Sequence, residues 1–214
     1  MSENLGDYRK SYDKNSLTIQ ESHSDPIAQF DRWFKEVESS ASVEEINAMT
    51  VATIGLDGYP KSRVVLLKNY DAQGFTFYTN YNSEKGKAIA ANPHICISFF
   101  WPNHERQVII KGKAKKVSEK QSSTYFQARP KGSKLGALVS PQSEIIPDRE
   151  FLENRLELLE NEYNDKEIPK PEYWGGFLVA PHEFEFWQGR PNRLHDRIRY
   201  TGHKNQWKRE RLAP

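Results

Sequence analysis

The sequence predicts a mainly β protein with surrounding helices (α+β), built on a β-barrel core. Three observations carry this. Short apolar, β-branched runs follow one another between residues 49 and 117, with turn signals between them. These runs lie too close together for the crossover helices of a parallel sheet, so antiparallel hairpins are the simplest pairing. Separate stretches before and after this block repeat apolar residues at helical spacing. With 214 residues the chain is long enough to bury a core without staples. No repeat, low-complexity segment or linker divides it, so residues 25–214 read as a single domain. Residues 1–24 are polar and without periodicity and read as a mobile tail.

In chain order, Asp25-Pro26 is an N-cap followed by proline at the first helical position. Ile27, Phe30, Trp33, Phe34 and Val37 then give one apolar helix face ending near Ser39-Ser40. A strand over 49–56 stops at Asp57-Gly58, a hairpin signal, and 59–68 runs back. Residues 71–74 turn into a strand over 75–79. Ser83 caps a helix that Pro93 closes. Strands over 94–101 and 106–117 follow, then a helix over 118–128 capped by Ser118. Residues 129–133 (Arg-Pro-Lys-Gly-Ser) read as a loop. An amphipathic helix covers 148–163 and ends before Pro169-Lys-Pro171. Two strands, 173–179 and 183–188, precede a last hairpin over 193–207.

Composition narrows the function classes. Lys+Arg 31 against Asp+Glu 29 leaves a net charge of +2. A nucleic-acid binder usually carries a stronger basic excess. The one cysteine, Cys96, lies in an apolar run and reads as a core residue, and it permits no intrachain disulfide. No stretch approaches the roughly 20 apolar residues of a membrane span. The N-terminal residues show no apolar signal core, so a cytoplasmic protein is expected. No zinc-type cluster, P-loop, G-x-G-x-x-G or G-x-S-x-G occurs, and no metal site is expected.

Three segments gather groups suited to a planar, phosphorylated ligand. In Arg63-Val64-Val65-Leu66-Leu67-Lys68 the strand alternates faces, and its two ends offer a guanidinium fork and an ammonium for phosphate. A buried strand with charged ends has the same pattern. Tyr125 and Arg129 are one helical turn apart, and Ser133 follows; together they suit a phosphate monoester, as they also suit a solvated helix end. In the third segment Arg193, His195 and Arg197 alternate, which in an extended strand puts all three on one face. Such a face favours an anion, and Trp187 nearby offers a flat apolar surface. The same mixture would stack RNA bases, a reading that the near-neutral charge disfavours.

These segments also carry a resemblance. The runs RVVLLKNYDAQGFTFYTNYNSEKGKAIAANP, RQVIIKGKAKKV, YFQARPKGSKLGALVSPQS, WGGF, FWQGRPNRLHDR and ERLAP resemble pyridoxine/pyridoxamine 5′-phosphate oxidases, over residues 25–214. The resemblance implies an FMN-binding split β-barrel and a homodimer with FMN sites at the subunit interface. It implies that Arg63, Val64, Val65, Leu66, Leu67, Lys68, Tyr78, Thr79 and Lys85 bind FMN from one subunit. Gln107, Gln142, Ser143, Trp187 and Arg197 would come from the other. Lys68, Tyr125, Arg129 and Ser133 would hold the substrate phosphate. Arg193, Leu194 and His195 would face the pyridine ring, with Arg193 and His195 as the catalytic pair. Arg9 and Tyr12 match an Arg-x-x-Tyr tail that folds over substrate in the family. The implied reaction oxidises C4′ of pyridoxine or pyridoxamine 5′-phosphate to the aldehyde, with dioxygen as acceptor and peroxide as product. Glu84 departs from the pattern, standing where the family often has an arginine near the FMN phosphate. A split-barrel protein that binds flavin without this oxidase activity shares most of the same residues.

Overall fold

The computed structural model describes residues 5–8, 10–203 and 206–214. Helix α1 spans Pro26–Ser39, and the Asp25 carboxylate accepts the Ile27 N–H at its start. Strands β1 (Ala48–Ile54), β2 (Pro60–Leu66), β3 (Asn69–Asp71) and β4 (Gly74–Asn80) follow as hairpins. Gly58, at φ 83°, makes the β1–β2 turn that other residues would strain to adopt. Helix α2 (Glu84–Ala91) starts where Ser83 Oγ accepts the Gly86 N–H. Strands β5 (His94–Trp101) and β6 (Arg106–Lys116) lead to α3 (Glu119–Gln127), α4 (Lys131–Val139) and α5 (Glu150–Glu162). The chain ends in β7 (Trp174–Gln188), β8 (Asp196–His203) and β9 (Gln206–Leu212). The strand order is β2-β1-β5-β6-β7-β4-β3, with β8 on β7 and β9 on β8. The β3–β4, β4–β7, β7–β8 and β8–β9 pairings are all antiparallel. The mainly β class with helices is therefore as expected. Among the described residues no helix is long and apolar enough to cross a membrane.

Three expectations need correction. The loop over 129–133 is only Arg129-Pro130, because Lys131 already begins α4. Two glycines and the lack of a side-chain cap hid this helix; Leu135 and Val139, buried on one face, stabilise it through packing. The strands over 173–179 and 183–188 are one strand, β7, which continues through Pro181. The last hairpin starts at Asp196, not Arg193, and extends to Leu212.

The chain forms two compact units, and strands β1, β5, β6 and β7 contribute residues to both. The first unit comprises 1–50, 96–111 and 181–214. Its core is aromatic: Phe30 and Trp33 of α1 pack against Phe99 and Phe186, at centroid distances of 5.0 and 5.3 Å. Residues 14–23 are tied into this unit. Leu17 is buried, its N–H donates to Asp196, and Arg209 and Arg211 donate to the carbonyls of Ile19, Ser22 and Leu17. These bonds span between 179 and 194 positions of sequence, beyond the reach of a local reading. Half-buried Cys96 lies on β5 of this unit, and burial pushes its thiol pKa up. The second unit comprises 51–95 and 112–180. There Phe126, Leu135, Ile168 and Trp174 form a buried cluster that fixes α3 and α4 against the first residues of β7.

Candidate functional site

The predicted residues fall into two groups, one in each unit. The second unit holds a cleft of about 570 Å³. Val64, Val65, Leu66 and Lys68 line it from β2 and the residues just after. Tyr78 and Thr79 come from β4, Lys85 from α2, and Tyr125, Arg129 and Ser133 from the α3–α4 corner. Leu67 does not line it; it is buried in the core, as alternation along an extended chain requires.

Three flat rings form one side of this cleft. Tyr78 and Tyr125 stack at 3.9 Å, and Trp174 stacks on Tyr78 at 5.5 Å, nearly parallel. The Arg129 guanidinium lies 4.6 Å above the Trp174 ring. That face contact holds the group without using its N–H donors. Arg129 Nη1 is buried with no hydrogen-bond partner among the described residues, and burial lowers the Arg129 pKa. A buried, unsatisfied cationic donor is costly, and an anion in the cleft would satisfy it. Ser133 sits in the first turn of α4, whose N-terminus no side chain caps. An uncapped helix start presents N–H groups and a positive dipole end, which also suit an anion.

Lys85 is the second buried cation of the cleft. Its Nζ donates to Thr79 Oγ1 at 3.1 Å and to Gln142 Oε1 at 3.3 Å, both neutral acceptors. Burial, with Arg63 nearby, lowers its pKa to about 8. Gln142 thus joins Thr79 and Lys85 within one chain, whereas the resemblance assigned it to the other subunit's set. Arg63 does not line the cleft; it donates to Thr53 Oγ1 and to the carbonyls of Val51 and Lys61, and burial lowers its pKa. Glu84 forms an ion pair with Lys61 at 2.5 Å and stays near enough to Arg63 and Lys85 to offset part of the lowering of both pKa values. Ser143, at φ 75°, lines a separate hollow beside Glu84.

The first unit holds the other group. Trp187 on β7 lies directly across from Arg197 on β8. Residues opposite each other share a sheet face, and so does Glu185, two positions before Trp187. Arg197 therefore pairs with Glu185 at 2.7 Å and also donates to the Ala213 carbonyl. The Glu185 hydrogen bond raises the Arg197 pKa. The expected three-cation face does not form. Arg193 ends a 3-10 turn, with Asn192 and Arg193 at φ 57° and 61°, and His195 precedes β8. The Gly-Arg-Pro-Asn stretch breaks the strand that the alternation argument assumed. Arg193 and His195 still line one hollow with Tyr12 and Arg190. His195 Nδ1 accepts the Arg190 N–H at 3.0 Å, and its ring lies 4.7 Å from Trp187. Burial and Arg193 lower the His195 pKa, so the neutral ring carries its proton on Nε2 as a donor. Leu194 is exposed, and Gln107 donates to Ser98 Oγ. Arg9 lies outside the described residues.

Sequence reasoning missed Trp174, Glu185 and Glu105. Trp174 stood in the quoted WGGF run, and its aromatic character was the available signal. Glu185 stood at strand spacing from Trp187. Nothing local marked Glu105, which is 1% exposed in the β5–β6 turn.

Residues 36–162 match the family model described as pyridoxamine 5′-phosphate oxidase. Residues 174–214 match that of the pyridoxine 5′-phosphate oxidase C-terminal dimerisation region, which supports the expected homodimer. Among curated relatives, a pyridoxine/pyridoxamine 5′-phosphate oxidase from Flavobacterium johnsoniae is 63% identical, covering 98% of each chain. One of the same name from Leptospira interrogans is 48% identical over the full length of both. Among solved structures, PhzG from Burkholderia lata, in complex with tetrahydrophenazine-1-carboxylic acid, superposes with a TM-score of 0.86 at 28% identity. That match covers 94% of this chain and 98% of the other. A pyridoxamine 5′-phosphate oxidase-related, FMN-binding protein from Nostoc punctiforme shares the fold, with a TM-score of 0.70 at 16% identity and coverage of 89% and 98%. The aromatic cleft with its Arg129 and Lys85 cations, the hollow of Arg193 and His195 and these likenesses agree, and the chain belongs to the pyridoxamine 5′-phosphate oxidase family.

Proposed function

We propose that this chain oxidises pyridoxine and pyridoxamine 5′-phosphates to pyridoxal 5′-phosphate, with FMN as cofactor and dioxygen as electron acceptor. Hydrogen peroxide is the second product, and the amine substrate also releases ammonia. The observation that carries this reading is the buried, unpartnered Arg129 nitrogen beside stacked rings in a cleft that also holds a buried lysine. That donor set fits two phosphorylated, planar molecules. Lys85, supported by Arg63, Thr79 and Gln142, would hold the FMN phosphate. Lys68, Tyr125, Arg129, Ser133 and the uncapped start of α4 would hold the substrate phosphate. Bound FMN supplies the hydride acceptor and passes the electrons on to dioxygen.

The protein's part is binding, orientation and exclusion of water. Trp187 and Arg197 would contribute to the FMN site from the partner side of a homodimer. Arg193 would position the C4′ substituent. The neutral His195 would offer its Nε2–H as a donor that orients the substrate. The strained backbone at Asn192 and Arg193 is a small cost that fits a functional turn.

Purified protein should be yellow with an FMN absorbance spectrum, and should release peroxide when given pyridoxamine 5′-phosphate. Yellow protein without peroxide would indicate a flavin-binding protein lacking this activity. Colourless protein that stays inactive with added FMN would overturn the reading. Glu84 supplies a smaller test. Its charge sits on Lys61 and still acts on Lys85 and Arg63, so Glu84→Arg should tighten FMN about threefold at low salt, with the gain lost at high salt. Titration of flavin fluorescence at two ionic strengths measures this.

A further inference from the structure

We propose that Glu105 is a positioning residue that seats Tyr12 against His195 and Trp187. It rests on the oxidase reading for what that seat covers.

Glu105 follows a 3-10 turn over Pro102–His104 and has a left-handed backbone, φ 54°. Its backbone carbonyl accepts the Gly189 N–H at 2.7 Å and Gln188 Nε2 at 3.2 Å. The residue is thereby fixed to the end of β7, just beyond Trp187. Its carboxylate faces the N-terminal segment. Oε2 accepts the Lys14 N–H at 3.1 Å. Among the described residues Oε1 has no hydrogen-bond partner, and it faces the Lys10 ammonium at 3.6 Å. Lys10 and Lys14 flank Tyr12 in sequence, so one buried carboxylate grips the segment on both sides of that ring.

Tyr12 packs edge-on against Trp187 and tilted against His195, both at 5.8 Å. Gly189 completes the seat, since a Cβ there would lie 2.8 Å from Tyr12 Cβ and Cγ. Burial of a carboxylate with one unsatisfied oxygen is unfavourable unless the charge is used. Here its use is to hold a short segment by one backbone N–H and one exposed ammonium. Such a grip is selective for position, and weak enough to release when substrate enters or product leaves.

The test combines Glu105→Ala, Glu105→Gln, Tyr12→Ala and the double variant Tyr12→Ala/Glu105→Ala in the FMN-loaded protein. Glu105→Ala should raise KM for pyridoxamine 5′-phosphate about tenfold and change kcat little, as loss of binding shared by ground and transition states does. Amide exchange at Lys14 should accelerate, and FMN content should be unchanged. Glu105→Gln keeps an acceptor for Lys14 but loses the ion pair with Lys10, so its KM should fall between those of Glu105→Ala and the unsubstituted protein. The double variant should be no worse than Tyr12→Ala alone, because both act on one element. Additive effects, or a fall in kcat or FMN content with unchanged KM, would overturn the proposal. If Glu105→Ala does not fold, Lys14→Pro removes the donor and leaves Glu105 in place; it should raise KM similarly, and an unchanged KM would equally overturn it. If the unsubstituted protein produces no peroxide, the oxidase reading fails, while Lys14 exchange and pyridoxal 5′-phosphate affinity across the same variants still test the grip.

Discussion

Arg129→Ala is expected to raise the KM for pyridoxamine 5′-phosphate about a hundredfold while bound flavin is retained, because a charge-assisted hydrogen bond is worth about 1.5–3 kcal/mol and a hundredfold corresponds to about 2.8 kcal/mol. The guanidinium is already stacked on Trp174 and lies 5.6 Å from the Phe126 ring centroid. It therefore meets the ligand without first giving up another partner, which keeps the ordering cost low. A phosphate remote from C4′ is held equally in ground and transition states, so kcat should change little. Arg129→Lys should fall between, since it keeps the charge but loses the planar fork. The ligand-free variant should melt no lower than packing loss dictates, because the substitution also removes a buried donor with no partner. Steady-state kinetics and a melting curve check both arms. An unchanged KM would remove Arg129 from the substrate site.

How far the sequence reached depended on whether the relevant interaction was local. Asp25, Ser83 and Ser118 were legible as caps because a cap is a contact between near neighbours, and all three bond as expected. Asp57-Gly58 was legible for the same reason. Helix α4 was not, since its stability comes from Leu135 and Val139 packing and not from cap or composition. The gap left between strands over 173–179 and 183–188 is instead interior to β7, which runs on through Pro181. The site divides in the same way. Alternation grouped Val64, Leu66 and Lys68 on one face, and all three line the cleft, although Val65 of the other face lines it too; it wrongly aligned Arg193, His195 and Arg197, because it assumed an extended chain where Asn192 and Arg193 are left-handed. Arg197 looked like an uncompensated cation only because Glu185 reaches it across a strand pair. The grip of Glu105 on residues 10–14 joins segments 91 positions apart and has no trace in either segment alone.

Lys85→Met is expected to weaken FMN about thirtyfold near neutral pH, by removing a charge-assisted contact of about 2 kcal/mol. The pH dependence makes the assignment specific. In the ligand-free fold the Lys85 pKa lies at about 8, below the ordinary lysine value of 10.5, first because of burial and then because of Arg63. Between those two values the unfolded chain holds a proton that the folded chain has released. Stability from this group therefore rises with pH across that window, and the cost of burying the charge is fully present below pH 8. A phosphate beside Nζ stabilises the charged form and raises the pKa again. Binding of FMN at pH 9 should then take up a proton, and affinity should fall as pH rises from 8 towards 10. Calorimetry in buffers of different ionisation enthalpy counts that proton directly. In Lys85→Met the uptake should vanish and the affinity should become flat over the same range. Equal uptake in both proteins would assign the titration to another group and take Lys85 off the phosphate.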